Sequence, residues 1–109
     1  MTILEAFDAA HAVCGNAIVP PDYRIVGLFS GAIRCDPETL SFKEAVNAGI
    51  VHTMLWLAKN DLKPTLLPAE VEVLYGGEFI CESHDGTPAS LYAAMLKIAA
   101  RVAKEKPNE

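Results

Sequence analysis

The stretch VEVLYGGEFICE, residues 71–82, reads as strand, tight turn, strand, and its register decides the fold. With a two-residue Gly76-Gly77 loop, Glu78 and Glu82 would share a face with Val71 and Val73. With a three-residue Tyr75-Gly76-Gly77 loop, Leu74 pairs with Glu78, Val73 with Phe79 and Val71 with Cys81. The apolar face is then Val71, Val73, Phe79 and Cys81, and Glu70, Glu72, Glu78 and Glu82 lie opposite. Because a one-residue slip turns charges into the core, the pattern predicts the odd loop, with Gly77 at its left-handed last position.

Working outward, IVGLFSGAIRCD (residues 25–36) falls on this stretch at an offset of 46 residues. Ile25 meets Val71, Leu28 meets Leu74, Gly31 meets Gly77, Ile33 meets Phe79 and Cys35 meets Cys81. The match continues into two helix starts, Ser41 on Thr87. It predicts an internal ββα repeat with units 23–61 and 69–105. In the first unit a Phe29-Ser30-Gly31 loop turns Ile25, Ile33 and Cys35 inward and sets Arg24 opposite Asp36; Gly27 stands where Val73 would be, and a single longer strand is the alternative.

A helix precedes the repeat. Thr2 and Glu5 form a capping box, Ile3, Phe7, Ala10 and Cys14 share a stripe, and Gly15-Asn16 is a fitting stop. The second helix opens on the Ser41–Glu44 capping box and runs to about Asp61, before Pro64. The third opens at Thr87 with Pro88 in the first turn. Residues 62–70, with two prolines, link the repeats. The expected fold is α+β in the order α-ββα-ββα: one domain over 1–109, with an antiparallel sheet of about four strands under packed helices.

The two repeat helices differ in one respect. On the third, Leu91, Tyr92, Met95, Leu96, Ile98, Ala99 and Val102 face in, while Lys97, Arg101 and Lys104 face out. The offset puts those three basic positions on Val51, Leu55 and Ala58 of the second helix, which already has an inward stripe of Phe42, Val46, Ile50 and Leu57. That helix is apolar on two sides, and Val51, Leu55 and Ala58 form a candidate interface. Val26, Leu28, Leu74 and Ile80 form a second patch on the outer sheet face. The first helix can cover one of these patches, which leaves the other for a homodimer partner; the alternative is a monomer in which that helix and the linker residues Leu62, Leu66 and Leu67 divide the cover.

Composition bounds the function. The chain has 109 residues, 51% of them hydrophobic, and a net charge of −5. It can build a core without staples. The negative charge argues against general binding to nucleic acid or anionic membranes. Residues 45–58, the longest uncharged apolar run, are too short for a membrane span. Three cysteines at irregular spacing fit neither a disulfide framework nor a zinc ribbon, and no basic leader precedes the first helix, so a cytoplasmic setting is expected.

Candidate chemistry is sparse. GxGxxG, Walker, HExxH and GxSxG motifs are absent. His11 and Cys14 form HxxC on the first helix, a metal-compatible spacing that lacks a second ligand pair; no metal and no cofactor are expected, and packing is the role assigned to both. His84-Asp85, beside Glu82 and Ser83, has the composition of an acid–base site and equally of a turn and cap. His52 and Trp56, one turn apart, with Tyr92 and His84, are the candidates for a ligand pocket between the repeat halves.

Residues 70–104 resemble small phage-type alpha-beta-alpha sandwich domains, through a strand leading into Gly86-Thr87-Pro88-Ala89 and an Ala-rich helix with Ala93, Ala94 and Leu96. The resemblance implies an accessory protein of mobile-element type with no active-site residues to assign. The same stretch is similar to the end of double-stranded RNA-binding domains, but Thr87-Pro88-Ala89-Ser90 replaces their basic cluster and RNA binding is not expected. The function expected is a non-enzymatic, self-associating interaction module; the alternative is a small-molecule-binding protein or minor enzyme.

Overall fold

A computed structural model describes residues 3–18 and 42–105. Helix α1 (Ile3–Cys14) runs into a 3-10 turn (Gly15–Ile18). Helix α2 (Phe42–Lys59) leads into strands β1 (Thr65–Leu66), β2 (Glu70–Tyr75) and β3 (Glu78–Ser83), followed by helix α3 (Pro88–Glu105). The strands form an antiparallel sheet in the order β1-β2-β3. Among the described residues the architecture is α+β, three helices with a three-stranded sheet. The hairpin expected in the first unit, with Val26, Leu28 and Cys35, falls outside the described residues, and so does the Ser41 end of the expected second capping box.

Helix α3 is the centre of the packing. Its start is set locally: the Thr87 Oγ1 accepts from Ser90 N–H, the Thr87 carbonyl accepts from Leu91 N–H, and Pro88 takes the first turn, where a missing N–H costs nothing. One side packs on Ala6, Phe7 and Ala10 of α1 together with Ile18, Ala45 and Val46; these meet Tyr92, Ala93, Leu96 and Ala99. The other side packs on the sheet and the end of α2, where Ala94, Met95, Ile98 and Val102 meet Val71, Val73, Ile80, Leu57 and Leu62. Lys97, Arg101 and Lys104 stay on the remaining stripe, at least partly exposed. In α1 the inward stripe is the expected one: Phe7 and Ala10 are buried, Ile3 and Cys14 half-buried, and Glu5 and Asp8 exposed.

The hairpin corrects the expected register. Tyr75 pairs with Glu78, Leu74 with Phe79, Val73 with Ile80, Glu72 with Cys81 and Val71 with Glu82. The loop is Gly76-Gly77 alone, with both glycines left-handed at φ 62 and 83. Such a two-residue turn matches the right-handed twist of the strands, which a longer loop would have to recover with a bulge. Ile80 is therefore inward at 4% exposure, and Phe79 is outward at 66%. Cys81 follows Phe79 to the outer face, and Ile80 leaves the predicted outer patch.

The carboxylates that argued against this register sit at the strand ends. Glu78 lies beside the turn and is exposed. Glu82 reaches the rim of α3, where Arg101 Nη1 donates to it at 3.1 Å. Among the described residues no isolated charge enters the core, so the expected penalty is not incurred.

Two further local features depart from the sequence pattern. β1 forms within the supposed linker, with Thr65 opposite Glu72 and Leu66 opposite Val71. Helix α2 ends in a Schellman turn: Leu62 N–H donates to the Leu57 carbonyl, Asp61 N–H donates to Ala58, and Asp61 is left-handed at φ 61. Leu57 and Leu62, which this turn brings together, are both in the core.

Candidate functional site

The outer face of α2 carries the most exposed apolar surface of any described helix. Val51 is 57% exposed, Leu55 55% and Met54 37%. They follow from helical spacing: Ala45, Val46, Thr53 and Leu57 turn toward the core, so the residues half a turn away must face out. Thr53 enters the core because its hydroxyl donates to the Gly49 carbonyl at 2.8 Å. With Ala58, Leu62, Lys63 and Pro64, these exposed residues line an open groove of about 580 Å³. The Schellman turn folds the chain back under the end of α2 and builds the far wall. The expected interface residues Val51, Leu55 and Ala58 thus share one surface. Met54 and the Leu62–Pro64 wall were not anticipated; the spacing of Met54 from Val51 and Leu55 was the available signal.

The expected pocket residues are distributed differently. Tyr92 is fully buried, and burial pushes its phenol well above the ordinary value. Its ring lies on the backbone of Gly49: a Cβ there would meet the Tyr92 hydroxyl oxygen at 2.7 Å and Cε2 at 2.8 Å. Trp56 is half-buried and packs against both parts of the core, and its carbonyl accepts from Asn60 Nδ2 at 2.8 Å. His52 is half-buried; its Nε2 is itself buried and has no hydrogen-bond partner among the described residues. These three belong to the region around α2 and α3, but none lines the α2 groove.

His84 is elsewhere and has a structural role. Its Nδ1 accepts from Gly86 N–H at 3.0 Å, which leaves the proton on Nε2 to be donated to the Leu67 carbonyl at 2.8 Å. Its own N–H donates to the Ala69 carbonyl. Nδ1 thus closes the turn internally, while Nε2 and the backbone N–H hold the β3–α3 connection to the β1–β2 connection. Asp85 completes the same turn, its Oδ1 accepting from Thr87 N–H at 2.9 Å and from the Thr87 hydroxyl at 2.6 Å. These bonds hold its carboxyl below the ordinary value. A smaller cavity of about 320 Å³ adjoins the turn, with Asp85, Thr87, Ser90 and Lys97 among its lining.

The HxxC pair separates on α1. His11 is exposed and stacked on Phe7, with ring centroids 6.1 Å apart. Cys14 turns toward α3, its thiol donating to the Ala99 carbonyl at 3.7 Å, and burial pushes it up to about 11.

The corrected register brings Cys81 to Glu70 and Glu72, which the sequence reading placed on the opposite face. Among the described residues, ligand atoms of Glu70, Glu72 and Cys81 lie within 4.8 Å of one another on the outer sheet face. The Cys81 thiol donates to Glu72 Oε2 at 3.4 Å. Local desolvation, that hydrogen bond and the two negative charges raise its pKa, with Arg101 opposing. A thiol held protonated is a poor nucleophile, so this cluster lacks the activation that covalent chemistry needs.

Comparison with protein families, with curated proteins and with solved structures returns no significant match. No described helix is long and apolar enough to cross a membrane.

Proposed function

We propose that this protein is a non-enzymatic interaction module that self-associates through the outer face of α2. The observation that carries the reading is the exposed Val51–Met54–Leu55 surface and the groove it shares with Ala58 and Leu62. Large apolar side chains clustered on one helix face cost free energy in water, and a second copy is the most economical cover. The catalytic alternative has less support: His84 and Asp85 are engaged in a turn, the Cys81 thiol is held protonated, and the Tyr92 ring fills the space beside Gly49. A cytoplasmic setting fits the free thiols of Cys14 and Cys81.

Leu55→Arg tests the proposal. At an interface residue that is half exposed in the single chain, the change leaves the fold intact and yields a soluble monomer, seen as unchanged circular dichroism and a lower sedimentation coefficient. Unfolding of the variant, or an unchanged sedimentation coefficient, refutes the proposed interface.

A further inference from the structure

We infer that Glu70, Glu72 and Cys81 form a zinc site on the outer face of the sheet, independent of the self-association proposed above. The register places the donors. A two-residue loop makes Tyr75 and Glu78 a hydrogen-bonded pair, and pair types alternate along an antiparallel ladder. Glu72 and Cys81 therefore fall in a non-hydrogen-bonded pair, where opposed side chains stand closest. Glu70 is two positions back on β2 and shares their face. Val71 and Val73, which alternate with the two glutamates, are buried against α3 and anchor the strand. The backbone that carries the donors is thus held, and only side-chain torsions remain to be set.

Distance and donor chemistry select the ion. Zinc bonds of about 2.3 Å to sulfur and about 2.1 Å to oxygen, at tetrahedral angles, put the two ligand atoms about 3.6 Å apart. Cys81 Sγ and Glu72 Oε2 are 3.4 Å apart, and Glu70 brings a carboxylate oxygen within 4.8 Å of both. Rotation of the Glu70 side chain closes the rest, and three protein donors leave a fourth position for water. Magnesium and calcium take oxygen ligands and gain little from a thiolate, whereas zinc accepts both donor types. Charge points the same way. Among the described residues neither Glu70 nor Glu72 has an ion-pair partner, and the nearby cation, Arg101, is turned to Glu82 and the Cys81 carbonyl. A divalent ion between the two half-buried carboxylates relieves their mutual repulsion. As the zinc–sulfur bond forms, the S–H bond of Cys81 breaks and its proton passes to solvent.

Titration of the full, reduced chain with cobalt(II) and with zinc tests the site. Cobalt(II) bound by a thiolate shows an intense near-ultraviolet charge-transfer absorption, which reports the sulfur ligand directly. The wild type should develop this absorption to saturation at one ion per chain and lose it when zinc displaces cobalt. Cys81→Ser, its fold checked by circular dichroism, should abolish the absorption, and Cys14→Ser should leave it. In calorimetry Glu70→Gln and Glu72→Gln should each weaken zinc binding at least about tenfold, while Glu78→Gln, beside the turn, leaves it unchanged. A wild type without the thiolate absorption overturns the site whether or not any variant folds. Absorption that survives in folded Cys81→Ser, or a zinc affinity that neither glutamate substitution lowers, overturns it equally.

Discussion

Gly49→Ala should destabilise this protein, although in an exposed helix the same change stabilises. Gly49 is in the interior of α2, where replacing glycine with alanine gains about 0.8–1.0 kcal/mol. Opposing that gain, the new Cβ would lie 2.7 Å from the Tyr92 hydroxyl oxygen and 2.8 Å from Cε2, and closer still to Cζ. Ordinary carbon contacts begin near 3.5 Å. Tyr92 cannot yield: it is fully buried, its ring is rigid, and Leu96 and Ala99 follow it on the same tightly packed face. Helix α2 must therefore move off α3 by roughly 1 Å, an overpacking cost of about 3 kcal/mol. The net loss is about 2 kcal/mol, roughly a 30-fold drop in the folding constant. Urea melts of a four-member cycle with Tyr92→Leu isolate the contact, since leucine lacks the obstructing ring atoms. In that background Gly49→Ala should be neutral or stabilising, a coupling of about 3 kcal/mol. A stabilising Gly49→Ala in the otherwise native chain would refute the close approach of the two helices.

Asp61→Gly should stabilise by up to about 1 kcal/mol in a thermal or urea melt, because the left-handed Schellman position strains a residue with a Cβ. The register predicts that Phe79→Lys is tolerated while Ile80→Lys unfolds the domain; the opposite order in circular dichroism would restore the one-residue slip. Gly76→Val and Gly77→Val should both destabilise, by comparable amounts of about 1 kcal/mol or more, since both positions are left-handed. Asp85 has a folded pKa below its ordinary value, so its contribution is present above pH ~4 and is lost as the pH falls through the folded pKa. Wild type should therefore exceed Asp85→Asn in stability at neutral pH, with the gap closing in acid melts below pH ~4.

What was legible in the sequence was local. Thr87-Pro88 specified the start of α3, and the α1 and α3 stripes could be read from 3.6-residue periodicity, because caps and stripes depend on neighbours a few positions apart. The hairpin's place was legible from Gly76-Gly77, yet its register was not. Whether Glu82 is buried or rescued depends on Arg101, 19 residues away, which a count of charges per face cannot see. That one slip carried Cys81 and Ile80 to the wrong faces and hid the Glu70–Glu72–Cys81 cluster. Gly49 offered a signal, a glycine in a helix interior, but only the fold sets Tyr92 against it. The exposed α2 face was legible from the helical spacing of Val51, Leu55 and Ala58 away from the inward stripe. His84 could not have been separated from a catalytic histidine without the Leu67 carbonyl, since S-H-D-G-T suits both roles.

Sedimentation equilibrium of the unmodified chain from micromolar to near-millimolar concentration tests the central claim most directly. An apolar face on the scale of Val51, Met54 and Leu55 should drive a reversible transition to twice the chain mass, one that Leu55→Arg abolishes without loss of helix. A single species of chain mass across the whole range would contradict self-association and leave the α2 groove without its proposed occupant.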